Sequence, residues 1–325
     1  MSLSKQYSFF PLEEGASKLS YDMYLKQQNQ LWPAHEINLT SDREKFPTLK
    51  PRYQQLYMDL LAFFAPGDGL VCKNVVRFMQ ESENFGESAF FAAQVYIEVV
   101  HAEAYGLAIT SVIKEQQLQE QVFRAVDKCP AVRAKADYLL TYIESHLPKR
   151  ERFLAAACTE GIFFVSLFAI IFYFRNKNIM NGFVLLNEQV AKDETLHRNY
   201  YCERVRIMSN PGSIETLNQI VREAVEVEIA HLEYILREPV DGIDEDKVSG
   251  LTIENLSNYI KSLANEILRL AGLPILYQEE LAYHLPWMKD MGMSRKTNFY
   301  EDKVVSYRNT VRDDVDHFDP DLVDF

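Results

Sequence analysis

Apolar residues recur along most of this chain at the three-to-four spacing of helices, and no stretch alternates in the manner of a strand. The pattern predicts a short helix over 21–31, ended by Trp32-Pro33, and a helix over 52–65 closed by Pro66-Gly67. Long periodicity from Leu70 to about Glu115 breaks near Asn84-Phe85-Gly86. Further helices follow at 117–127, 131–145, 149–176, 183–208, 213–237 and 252–271. Pro130, Pro148, Asn181-Gly182, Pro211-Gly212 and Pro239 set them apart. Long helices with short connections make a bundle. Residues 1–20 read as an irregular arm, 21–288 as the helical domain and 289–325 as a C-terminal segment. The last stretch, RDDVDHFDPDLVDF, is acidic and poor in core residues, so a flexible tail is expected.

One segment has a membrane-like pattern. Phe153 to Phe174 is almost wholly apolar and long enough to cross a bilayer. However, Glu160 lies inside it, and a lone carboxylate in lipid is expensive. The expected reading is a central helix wrapped by protein, with no membrane. Composition agrees: 47% of residues are apolar and Gly and Pro number only 12 each, a globular and helix-favouring balance. The net charge of −13 argues against nucleic acid and suits a cation site or a basic partner surface. Cys72, Cys129, Cys158 and Cys202 show no CxxC spacing, which points away from disulfides and zinc and toward a reducing cytoplasm. The N-terminal MSLSKQYSFFPLEEG lacks the pattern of a signal peptide.

Chemistry enters with the histidines. Three close a Glu-x-x-His pattern: Glu98/His101, Glu194/His197 and Glu228/His231. A Glu and a His three apart on a helix share a face and can point at one ion. Di-metal bundles use two such pairs plus one carboxylate from each of two further helices. Carboxylates neutralise and bridge two divalent ions, and imidazoles complete their coordination. Glu160 is the natural third carboxylate, the alternative being a protonated or water-paired core Glu. Asp68 is a candidate fourth, although Pro-Gly-Asp-Gly also reads as an ordinary turn or helix cap. Glu228/His231 stands among Glu223, Glu226 and Glu233 and reads as a solvated charged face. Tyr105 follows Glu98 by seven residues and shares its face, while Phe164 and Phe168 follow Glu160 by four and eight. Beside a metal pair, a phenol in a dry aromatic pocket is a candidate radical site.

These residues carry a resemblance. LAFFAPGDGLV around Asp68, IEVVHAEAY ending at Tyr105, TEGIFFVSLFAIIF from Thr159, NEQVAKDETLH ending at His197, KTNFYEDKVVSY from Lys296 and the final Asp-Phe are similar to the small subunit of class I ribonucleotide reductases, eukaryotic and large-DNA-virus type. The likeness runs from about Phe9 to the C-terminus. It implies an all-α, ferritin-like bundle that forms a homodimer and works with a separate large subunit. By resemblance Asp68, Glu98 and His101 hold one iron, and Glu160, Glu194 and His197 the other, with manganese the less favoured metal. Tyr105 matches the tyrosine that O2 chemistry converts to a radical, and Phe164, Phe168 and Val190 its apolar pocket. Asp193 matches an Asp linking a metal-bound His to a surface aromatic, and Tyr307 a tail tyrosine that relays charge between subunits. Asp321 to Phe325 resembles the docking tail. One departure stands out: alignment on Trp32 and Met23-Tyr24 puts Tyr21 where the family has its relay tryptophan.

Other proteins share parts of this pattern. Di-iron monooxygenases and desaturases typically have Glu at the Asp68 position and lack the phenol at Tyr105. A ferritin-like iron store needs neither the dry pocket nor the tail, and a metal-free bundle leaves Glu160 unexplained.

Overall fold

The computed structural model describes residues 16–209 and 213–291, and among these every regular element is helical. The helices are α1 (Ala16–Gln28), α2 (Thr40–Lys45), α3 (Pro51–Gln80), α4 (Phe85–Val112), α5 (Gln116–Phe123), α6 (Ala125–Lys128) and α7 (Pro130–Glu144). They continue with α8 (Lys149–Asn176), α9 (Asn181–Ile207), α10 (Ile214–Ile235), α11 (Ile243–Ser249) and α12 (Ile253–Leu270). By its internal contacts the chain divides into Met1–Leu285 and Pro286–Phe325; of the second unit only the short helix Pro286–Met291 is described.

Local signals set most boundaries. Asn84 caps α4 by accepting from the Glu87 amide at 2.9 Å. Ser213 and Thr252 do the same for α10 and α12. Pro51 and Pro130 occupy first-turn positions, where a missing N–H is harmless.

The helix expected over 117–127 is split at Arg124 into α5 and α6, and two further departures bear on the site. Helix α1 begins at Ala16, inside the stretch read as an arm, and α3 runs straight through Pro66-Gly67. A proline in a helix interior removes one backbone hydrogen bond. Tertiary packing outweighs that loss here. A Cβ at Gly67 would meet the Phe63 ring at 3.4 Å and Phe164 at 3.5 Å, ordinary packing contacts that place this stretch directly against the aromatic core. Phe63, Phe64 and Asp68 around it are buried.

Helix α8 is the axis of the bundle. Every residue from Phe153 to Phe174 is buried, enclosed by α7, α9, α10 and α12. The stretch that is apolar enough to span a membrane is therefore a core helix. A π turn from Thr159 to Phe164 interrupts it. Helices α3 and α4 pack along one another, and α1 lies against α4.

Candidate metal centre

Four helices deliver the six candidate ligands to one point. Asp68 comes from α3, Glu98 and His101 from α4, Glu160 from the π turn of α8, and Glu194 and His197 from α9. All six are at most 1% exposed. Their ligand atoms form two overlapping groups, Asp68/Glu98/His101/Glu194 and Glu98/Glu160/Glu194/His197, each within 4.8 Å. Glu98 and Glu194 belong to both, which is the position of bridging carboxylates. Nδ1 of His101 lies 3.1 Å from Glu194, and Nδ1 of His197 lies 3.2 Å from Glu98.

The donor set fits two divalent ions of the iron or manganese type. Both Asp68 oxygens and Glu160 Oε2 are buried without a hydrogen-bond partner, and such atoms call for a cation or a proton. Gln94, one turn before Glu98, donates Nε2 to Glu98 at 3.0 Å and to Glu160 at 3.1 Å, while Tyr201 donates to its oxygen at 3.0 Å. Gln94 thus braces a shared carboxylate and an unshared one. Its position four residues before Glu98 was the only sequence sign of it. A void of about 10 Å³ touches Glu160 and is lined also by Val71, Asn74, Tyr138 and Tyr201.

Burial pushes the Asp68 and Glu160 carboxyls well above their usual range. Burial acts to lower both imidazoles, but the carboxylates more than reverse it. Asp193, Glu194 and Glu98 hold His101 well above its ordinary value, and Glu194 and Glu98 bring His197 to about 9. Glu194 goes the other way: against the upward push of burial, the two imidazoles hold it far below the carboxylate range. Near neutral pH His197 of the metal-free cluster is therefore protonated, the upward push on Asp68, Glu160 and His101 favours their protonated forms, and bound ions must displace those protons. Anaerobic Fe(II) titration is expected to release several protons per chain. Affinity should fall at least about tenfold for each pH unit on acidification from about pH 8. An indicator dye reads the release directly, and ion uptake without protons would contradict these protonation states.

Tyr105 is completely buried, and burial together with the charges of Asp68, Glu194 and Glu98 drives its phenol far above the ordinary value. Its hydroxyl donates to Asn187 Oδ1 at 2.8 Å, and Asn187 Nδ2 donates to the Phe183 carbonyl at 2.8 Å. That second bond fixes the amide so that only an acceptor faces the phenol. Phe64 stacks on Tyr105 at 4.5 Å, and Phe164 and Phe168 pack on Phe64 at 5.8 and 5.9 Å. Val190 is fully buried on α9, one turn beyond Asn187. Phe64 and Asn187 carry no distinguishing signal in the sequence, one being a Phe in an apolar helix and the other an Asn in a polar one.

Asp193 is where the resemblance expected a connector, but its aromatic partner is Trp32. The Trp32 indole donates to Asp193 Oδ2 at 2.9 Å, and His101 Nε2 lies 3.0 Å from the same oxygen. The Trp32 and His101 rings stack at 5.8 Å. This fixes His101 with its other nitrogen, Nδ1, toward the metal cluster. Tyr21, expected at this position, lies eleven residues earlier on α1, its ring 6.3 Å from Tyr24. The chain leaves α1 after Gln28 and takes up a short 3-10 turn, Ala34–Glu36, only after Pro33, so the indole and not the phenol comes to lie over His101.

The third Glu-His pair is also corrected. Glu228 and His231 are completely buried, not solvated, because Lys135 of α7 and Ser166 of α8 meet them in the core. Tyr307 and Asp321–Phe325 lie outside the described residues.

Residues 10–284 match the family model described as ribonucleotide reductase, small chain. The ribonucleoside-diphosphate reductase small chain of Nicotiana tabacum is 34% identical over 289 residues, covering 89% of this chain and 85% of that one. Among solved structures, the ribonucleotide reductase Rnr4 homodimer of Saccharomyces cerevisiae superposes with a TM-score of 0.73 at 24% identity, covering 86% of each chain. The dimanganese(II)-NrdF of Streptococcus sanguinis superposes with a TM-score of 0.72 at 16% identity, covering 87% of this chain and 97% of that one. At these identities the two structures speak for the ferritin-like helical fold.

Proposed function

The chain belongs to the ribonucleotide reductase small-chain family, and from that premise we propose that it generates a tyrosyl radical at Tyr105 and lends it to a large subunit that reduces ribonucleoside diphosphates. The observation that carries the reading is the convergence of four buried carboxylates and two imidazoles beside a completely buried phenol. Asp68, Glu98 and His101 would hold one iron and Glu160, Glu194 and His197 the other, with Glu98 and Glu194 placed to reach both. Iron held there would supply, on reaction with O2, the oxidising power to take one electron from Tyr105.

The residues around the phenol shape the rest. Oxidised tyrosine gives up its hydroxyl proton, and the Asn187 carbonyl it faces is no base. The proton therefore needs an acceptor other than Asn187, and the phenoxyl oxygen then has no donor in Asn187, whose N–H is engaged by Phe183. Phe64, Phe164 and Phe168 exclude the water and reductants that would quench it. Trp32, Asp193 and His101 form a continuous hydrogen-bonded line from the edge of α1 to the cluster, the natural path for an electron. Tyr307 and the tail Asp321–Phe325 would extend that path and dock the acidic chain on the large subunit. Tyr96, Val99 and Leu107 leave apolar side chains exposed on α4, which a second copy of the chain would cover in a homodimer. The setting is cytoplasmic, where nucleotides are reduced.

Anaerobic loading with Fe(II), then O2, tests the proposal. Two irons per chain and a tyrosyl signal in electron paramagnetic resonance are expected. A folded protein that takes up no metal would refute it. A parallel loading with Mn(II) shows whether iron alone supports the signal. Trp32→Phe keeps an aromatic ring over His101 but loses the N–H to Asp193. It is expected to bind iron normally while turnover with the large subunit falls at least about a hundredfold. Unchanged turnover would take Trp32 out of the path.

A further inference from the structure

Glu228 and His231 belong to neither ligand group, yet they sit in a second charged cluster inside the core. Lys135, completely buried on α7, brings Nζ to 2.8 Å from Glu228 and 3.4 Å from His231 Nδ1. Ser166 of α8 donates a short hydrogen bond to Glu228. The ammonium also lies 3.6 Å from the centre of the Phe63 ring and 5.0 Å from that of Phe163. Burial, reinforced by Lys135, lowers His231 to about 4, so its ring is neutral and the cluster holds one cation against one anion. Desolvating such a pair is expensive, and apolar residues of like volume usually stabilise a core as well or better. Stability alone does not account for it.

The remaining contact of Lys135 does. Its Nζ donates to the Phe163 carbonyl at 3.1 Å, and Phe163 stands in the π turn Thr159–Phe164. A π turn departs from the regular helical ladder and persists where outside contacts hold it. One residue of slippage rotates a helix position by about 100°. Glu160 and Phe164 share this turn, and they serve different ends of the site: the metal cluster and the ring packed on Phe64. If the turn relaxed to regular helix, the two could not both keep their places.

We propose that Lys135, Glu228 and Ser166 are positioning residues that lock the π turn, delivering Glu160 to the metal cluster and Phe164 to the aromatic stack beside Tyr105. This rests on the metal-centre reading above. Lys135 and Ser166 both act at the C-terminal end of the turn, at Phe163 and two residues beyond Phe164, and Glu228 ties the two together.

The test is the double variant Lys135→Met/Glu228→Leu, which removes both charges together and leaves neither unpaired. Metal uptake is read by anaerobic Fe(II) titration against a competing chelator, and folding by near-ultraviolet circular dichroism and thermal melting. The variant is expected to melt no lower than wild type. The ion held by Glu160 and His197 should bind at least about tenfold more weakly, while that held by Asp68 and His101 is retained. A folded double variant that binds both ions as wild type does overturns the proposal. If the double variant does not fold, Ser166→Ala decides. It keeps the ion pair and cuts one tether, so a severalfold loss confined to the same ion is expected, and unchanged affinity for both ions overturns the proposal. Wild type taking up no iron would instead sink the metal-centre reading itself.

Discussion

Tyr105→Phe is expected to load iron as wild type does, to show no tyrosyl signal after O2, and to lose at least about a thousandfold in turnover with the large subunit. Only one atom is removed. The Phe64 ring at 4.5 Å keeps its stacking partner, and none of the six ligands touches the missing oxygen through a hydrogen bond. The structural penalty falls on Asn187, whose buried Oδ1 loses its donor, at about 1–3 kcal/mol. Metal analysis beside electron paramagnetic resonance separates the two effects. A signal of full size in the variant would place the radical elsewhere. Tyr201, fully buried and bonded to Gln94, is the phenol to examine next.

Glu194→Ala carries the largest effect on metal. Glu194 is in both ligand groups and lies beside both imidazoles, 3.1 Å from His101 and 3.3 Å from His197. Its removal weakens both ions together, by at least about a hundredfold each, since even outer partners of ligands are worth tenfold or more. Asp68→Ala, by contrast, strips a ligand from one group only and should leave the ion near Glu160 in place. Equal losses in the two variants would refute the sharing of Glu194. Iron content after gel filtration is a sufficient readout.

The two Glu-x-x-His pairs of the centre were legible because their geometry is local: residues three apart on a helix must share a face. Glu160 was legible by contrast, as a carboxylate in a stretch with no other charge. Asp68 was not secure, because Pro-Gly-Asp-Gly carries every mark of a turn, whereas the chain stays helical through it with Gly67 set against the Phe63 and Phe164 rings. Glu228/His231 failed for a related reason. Its neighbours Glu223, Glu226 and Glu233 signal an exposed face, and the Lys135 that draws the pair inward lies about ninety residues away. Trp32 against Tyr21 could not be settled by residue type, since both are aromatic. The distance to Asp193 depends on where the chain turns after α1.

The void beside Glu160 has a consequence for supply. At about 10 Å³ it has room for about one water, far less than a divalent ion with its hydration shell. If that gap is the way in, a hydrated ion passes only when the surrounding helices part, and the rate of loading would follow the breathing of the bundle more than the concentration of iron around it. Once seated, the same closure retains the ions, so a loaded chain would keep its cargo long after the surrounding supply has run out.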